Sequence, residues 1–238
     1  MKKSINISGL IGADVTAQSV KRDLDAIGKA SEIELTVNSR GGSFFDGTAI
    51  YAMLIRHPAK IIGFVDGLAA SAASAILCAA NTITVPASAF IMIHNPSGSA
   101  GGSSDSLRKT ANLIDKTRET LIDIYHRKTS LPKARLGKMM DVETWMTGEQ
   151  AVELGFADKL SEPVAIAACL DPEMFVHAPT ELVLKDSGLI QEIRAEWRDA
   201  PELQAEFLDF ESFMAYKKNA GNITIIADRV YRERDRAR

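Results

Sequence analysis

Residues 32–65 read EIELTVNSRGGSFFDGTAIYAMLIRHPAKIIGFV. Glu32 to Val37 alternates polar and apolar residues, the pattern of a half-buried strand. Asn38-Ser-Arg-Gly-Gly42 reads as a loop, because paired glycines let a backbone turn sharply and bare its N–H groups. A helical run around Gly47 to Ile55 stops before Pro58, since the residue preceding a proline is pushed out of the helical region. Lys60 to Val65 is strand-like again. Strand, helix, strand in this order predicts parallel pairing through a crossover.

The same alternation extends both ways. Upstream, Ile5 to Ile11 reads as a strand, followed by a helix with Val20, Leu24 and Ile27 on one face at spacings of four and three. Downstream come an Ala/Ser-rich helix from about Ala69 to Ala80, then TITV (82–85) and FIMI (90–93) as strands. After a Gly/Ser run, Ser97 to Ser104, a long helix is expected from about Asp105 to Arg127. Its Leu107, Ala111, Ile114, Leu121, Ile122 and Tyr125 form one apolar stripe that must be buried against something. Thr147-Gly-Glu-Gln150 reads as a capping box opening a short helix that ends near Gly155. Beyond residue 160 prolines punctuate the chain and a helix is expected over Leu189 to Tyr216. The expectation is an α/β domain over 1–160 and a partly helical appendage over 161–238.

Composition narrows the function classes. Lys+Arg total 28 against 31 Asp+Glu, a formal charge of −3, so nothing biases the whole chain toward nucleic acid or an anionic membrane. The long uncharged run from Gly67 is mostly Ala, Ser, Asn and Thr, too weakly apolar to span a bilayer. The segment MKKSINISGLIGADV lacks the unbroken apolar core of a signal peptide. With only two cysteines, Cys78 and Cys169, a reducing compartment is expected, and the cytoplasm is the expected location. No His-Glu-x-x-His spacing points to a metal, and no Gly-rich loop ending in Gly-Lys points to a nucleotide.

Three segments carry candidate chemistry. The first is the Asn38–Gly42 loop. The second is Gly67-Leu-Ala-Ala-Ser71-Ala-Ala-Ser74, in which a serine opens a helix whose unpaired N–H groups can hold an oxyanion. It does not fit the Gly-x-Ser-x-Gly elbow, composition alone favours a small-residue helix packed tightly on a neighbour, and Ser74 competes as nucleophile. The third is Phe90-Ile-Met-Ile-His94-Asn-Pro96, where a histidine at a strand end is placed for general-base work. His57, His126 and His177 lie in less suggestive surroundings.

Together with Trp145-Met-Thr-Gly-Glu-Gln-Ala-Val-Glu-Leu-Gly155-Phe-Ala-Asp158, these segments resemble the Clp peptidase family, over about residues 5–160. Phe45-Asp-Gly-Thr-Ala-Ile-Tyr51 is most similar to its phage and prophage head-maturation branch. The resemblance implies a crotonase-like spiral of repeated β-β-α units with a protruding handle helix, and serine endopeptidase activity without a cofactor or metal. It implies Ser71 as nucleophile, His94 as base, the N–H groups of Gly42 and Ala72 as oxyanion hole, and Gly41 and Ser43 as substrate contacts. The family's acid is an aspartate four residues before Thr147; that position is Glu143 here, with Asp141 as the alternative. Arg40 stands where the family usually has proline. The implied partners are polypeptide substrates, a homo-oligomeric ring and, for the phage branch, capsid or scaffold proteins. An unfoldase ATPase is left open. Rival readings on this fold are an acyl-CoA enzyme, a serine–lysine peptidase and a non-catalytic capsid scaffold.

Overall fold

The computed structural model describes residues 3–162. The expected appendage, with its helix over 189–216, Cys169 and His177, lies outside them. In chain order the elements are β1 (Ser4–Ile11), α1 (Ala17–Ile27), β2 (Glu32–Gly42), α2 (Phe44–Arg56), β3 (Lys60–Ala70), α3 (Ala72–Leu77), β4 (Thr82–Pro86), β5 (Phe90–Ile93), α4 (Ser104–Thr129), α5 (Lys133–Asp141), β6 (Thr144–Thr147), α6 (Gly148–Glu153) and β7 (Lys159–Ser161). The fold is mixed α/β, the architecture expected of the Clp peptidase spiral. A parallel ladder runs β1-β2-β3-β4-β7, and β5 joins β3 while pairing antiparallel with β6.

Local sequence explains most elements. Ile5, Ile7 and Ile11 of β1 and Ile33, Leu35 and Val37 of β2 all point into one core. Thr16 caps α1 and Thr147 caps α6, each in a capping box, with Ser19 and Gln150 as the reciprocal partners. Ser43 caps α2 by accepting from the Asp46 N–H, so that helix starts well before Gly47.

Two expectations need correction, and both corrections build the site. Asn38–Gly42 is not a loop but the end of β2, in which Ser39 and Gly41 continue the buried side of Ile33, Leu35 and Val37. Ser39 is tolerated there because its hydroxyl donates to the Gly9 carbonyl (2.6 Å) and accepts from the Gly41 N–H (3.1 Å). Likewise Gly67–Ala70 is strand, and the helix occupies only Ala72–Leu77. Strand β3 serves two neighbours in succession. Ile62–Phe64 pairs with Thr82–Thr84, and Leu68–Ala70 pairs with Phe90–Met92. Between Val37↔Val65 and Ser39↔Ala69 the register jumps, with Gly67 at φ 138° inside the irregularity. The strand ends are thereby re-aimed toward the start of α3.

Helix α4 is buried only toward its C-terminus, at Thr117, Leu121, Ile122, Ile124 and Tyr125. Leu107 is 46% exposed and Ala111 is exposed as well, so the start of the expected stripe is not covered within the described residues, and off the stripe Leu113 is 47% exposed. No helix among them is long and apolar enough to cross a membrane.

Candidate active site

Ser71 sits at the junction of β3 and α3, in a backbone conformation (φ 56°, ψ −124°) that non-glycine residues rarely adopt. Its surroundings over-determine that turn. The Ser71 N–H donates to the Met92 carbonyl on β5 (3.0 Å), and the Ser71 carbonyl accepts from the N–H groups of Ser74 (3.0 Å) and Ala75 (3.4 Å). The side chain makes no capping bond to its own helix. Its Oγ lies 2.8 Å from His94 Nε2 instead.

His94 follows β5 directly. The β5–β6 ladder ends at Ile93↔Thr144, so its antiparallel register sets His94 opposite Glu143 as the next pair. Burial lowers the imidazole pKa below its ordinary value, and the charge of Glu143 acts in the opposite sense. Glu143 is only 8% exposed, has φ 50°, and accepts a hydrogen bond from Trp145 Nε1 through Oε1 (3.1 Å). Ser71, His94 and Glu143 thus flank the ends of three neighbouring strands: Ser71 and His94 directly follow β3 and β5, and Glu143 directly precedes β6.

Asp141, the alternative acid, is engaged elsewhere. Its Oδ1 accepts from Asn95 Nδ2 (3.0 Å) and from an Arg118 Nη (2.9 Å), and those two bonds hold the carboxyl below its ordinary pKa. Arg118 also donates through Nε to Asn95 Oδ1 (2.9 Å), so one guanidinium ties α4 and α5 to the residue after His94. Ser74, the competing nucleophile, is completely buried; its Oγ donates to the Ser71 carbonyl (2.7 Å) and shares a bond with the Tyr125 hydroxyl (2.9 Å). Buried Cys78 has its thiol pushed up to about 12 by desolvation, which leaves it inert at neutral pH.

The two glycines frame the serine differently. A Cβ on Gly41 (φ 95°) would fall 2.7 Å from both the Ala70 oxygen and the Ser71 Cβ, so only glycine lets β2 approach this closely. Its N–H is already bonded to Ser39 Oγ. Gly42 (φ 137°) is the exposed residue at the strand end. The Ala72 N–H belongs to the first helical residue of α3, where no intrahelical acceptor exists. Ser43 spends its N–H on the Ile11 carbonyl (2.8 Å) and its hydroxyl on the α2 cap. No cluster of His, Cys, Asp and Glu among the described residues could hold a metal ion.

Residues 2–164 match the sequence model described as Clp protease. The chain belongs to the Clp protease family. The ATP-dependent Clp protease proteolytic subunit of Deinococcus radiodurans is 33% identical over 140 residues, covering 58% of this chain and 68% of that one. Proteolytic subunit 1 of Protochlamydia amoebophila is 38% identical over 133 residues, with 54% and 64% covered. Subunit 1 of Chlamydia abortus is 35% identical over 152 residues, with 58% and 79% covered. As a Clp protease family member the chain is a serine-type peptidase acting on polypeptides. Two features of this Clp-type site escape a reading of the sequence by itself: the Trp145–Glu143 bond and the Arg118–Asn95–Asp141 brace. The first depends on β6 and the second on α5, neither of which local patterning reveals.

Proposed function

We propose that the chain is an endopeptidase with Ser71 as nucleophile, His94 as general base and Glu143 as the acid that orients and charge-balances the imidazole. The observation that carries this reading is the 2.8 Å approach of His94 Nε2 to the Oγ of a serine held at φ 56°. Nε2 takes the hydroxyl proton as Oγ bonds to the carbonyl carbon of a peptide, and the carbonyl electron pair moves onto oxygen. The N–H groups of Gly42 and Ala72 receive that oxyanion, each donor being worth on the order of 10²–10³ in rate. The C–N bond then breaks, His94 returns the proton to the leaving amine, and water repeats the sequence to release the acyl group. Glu143 is preferred to Asp141 because it is buried and acts electrostatically on His94, whereas Asp141 is tied to Arg118.

The active form proposed is a homo-oligomeric ring, supported by the half-covered α4; the location proposed is the cytoplasm, in keeping with a chain of only two cysteines. The phage head-maturation branch, with capsid proteins as substrates, is supported by residues 45–51 alone. The relatives are ATP-dependent Clp protease subunits, and an ATPase partner is a further proposal on that ground.

Purified protein is treated with a fluorophosphonate and the adduct mapped by mass. The expected site is Ser71, with labelling abolished in Ser71→Ala, slowed by about 10³ or more in Glu143→Gln, and within about twofold of wild type in Asp141→Asn. An adduct at Ser74, or a loss confined to Asp141→Asn, refutes the assignment.

A further inference from the structure

We propose that Trp145 is a positioning residue for the reaction: its indole N–H fixes the longer Glu143 side chain so that the second carboxylate oxygen serves His94. The inference rests on the triad reading above and deepens it. A glutamate at this position carries one more methylene than an aspartate, which adds about 1.5 Å of reach and one rotatable bond. A carboxylate that must orient an imidazole to within about 0.5 Å cannot be left to sample those rotamers. Something rigid has to hold it.

Trp145 meets that requirement. Its Nε1 lies 3.1 Å from Glu143 Oε1, and an indole offers one donor in a fixed direction. The ring is itself held, because Trp145 pairs with Met92 across the β5–β6 ladder and stands edge-on to Phe90 at 6.5 Å and 71°. The same ladder carries His94 at its end, so donor, carboxylate and imidazole share one rigid frame. A buried carboxylate also needs donors for its lone pairs, and one of them comes from this indole. Glutamate with tryptophan two residues on therefore works as a unit, the aromatic donor taking up the slack of the longer acid.

The test measures fluorophosphonate inactivation of the full chain, resolved into kinact and KI. Trp145→Phe keeps the ring and removes the donor; 3-benzothienylalanine at position 145 replaces N–H by sulfur in a ring of nearly the same shape. Near-ultraviolet circular dichroism establishes that each variant is folded, and the benzothienyl protein decides if Trp145→Phe is not. The expected result is a kinact about tenfold lower with KI unchanged. In a Glu143→Asp background, where the carboxylate falls short of the indole, removing the donor changes kinact by less than about twofold. An unchanged kinact in the folded benzothienyl protein overturns the proposal, as does an equal loss in both backgrounds. A wild-type kinact in Glu143→Gln instead sinks the triad reading itself, which separates the two failures.

Discussion

The imidazole of His94 is pulled two ways. Burial favours its neutral form and Glu143 its charged form, and burial wins, so the pKa lies below 6.5. Only the neutral ring can accept the Ser71 proton, so the fall of kcat/KM on acidification should set in at a lower pH than an ordinary histidine would give. Replacing Glu143 by Gln removes the opposing charge, so the pKa of His94 drops further. The acidic limb of the pH–rate profile then moves to lower pH while the plateau falls. A profile measured on a fluorogenic peptide checks both signs; a limb that moves to higher pH in Glu143→Gln contradicts the assignment of Glu143 as the neighbouring charge. Stability has the matching sign. The unfolded chain binds a proton at His94 that the folded chain refuses between the two pKa values, so this contribution is present above 6.5 and lost as pH falls through that window.

At the scale of elements, α3 is the pivot, a six-residue helix built from Ala, Ser, Ile and Leu and buried along its whole length. Ser74 anchors it to α4 through Tyr125, whose ring also packs on Phe156 at 5.7 Å. Ser74→Ala strands the buried Tyr125 hydroxyl and should cost about 1–3 kcal/mol in chemical denaturation. Labelling at Ser71 should persist at a rate near wild type, and its disappearance would mean that Ser74 has a chemical part. The role of Ser74 as an anchor is invisible in the sequence because Tyr125 is remote along the chain. What was legible was local: the alternation of β1 and of Glu32–Val37, the face of α1, the capping box at Thr147. Residues 38–42 and 67–70 misled, since Asn, Ser, Arg, Gly and Ala are poor strand formers that become strand only because β1 and β5 pair with them. Ser71 and His94 stood out locally as candidates, family resemblance assigned them their roles as nucleophile and base, and only the fold brings them within bonding distance.

For the whole molecule the open question is what covers the first half of α4. Leu107 and Tyr125 are eighteen residues apart, five turns of helix, so they lie on one line with Ile114 between them. Tyr125 is fully buried, and Ile114 is half-buried beside the Gly/Ser segment, where a Cβ added at Gly98 would lie 3.6 Å from its Cδ1. Among the described residues nothing covers Leu107 in this way, and Leu113 is equally exposed on the neighbouring face. With about half of its surface still exposed, each leucine forgoes roughly 1 kcal/mol of burial, which a second copy of the chain would recover by packing there. The double change Leu107→Asp with Leu113→Asp places charge on that face without touching the buried half of the helix. Sedimentation velocity should then show ring-sized particles replaced by smaller species whose thermal unfolding stays cooperative. Peptidase activity should fall with the loss of assembly and recover as protein concentration is raised. Particles of wild-type size in the double variant would mean that this face is not where copies meet, and that the assembly is held through surfaces other than α4.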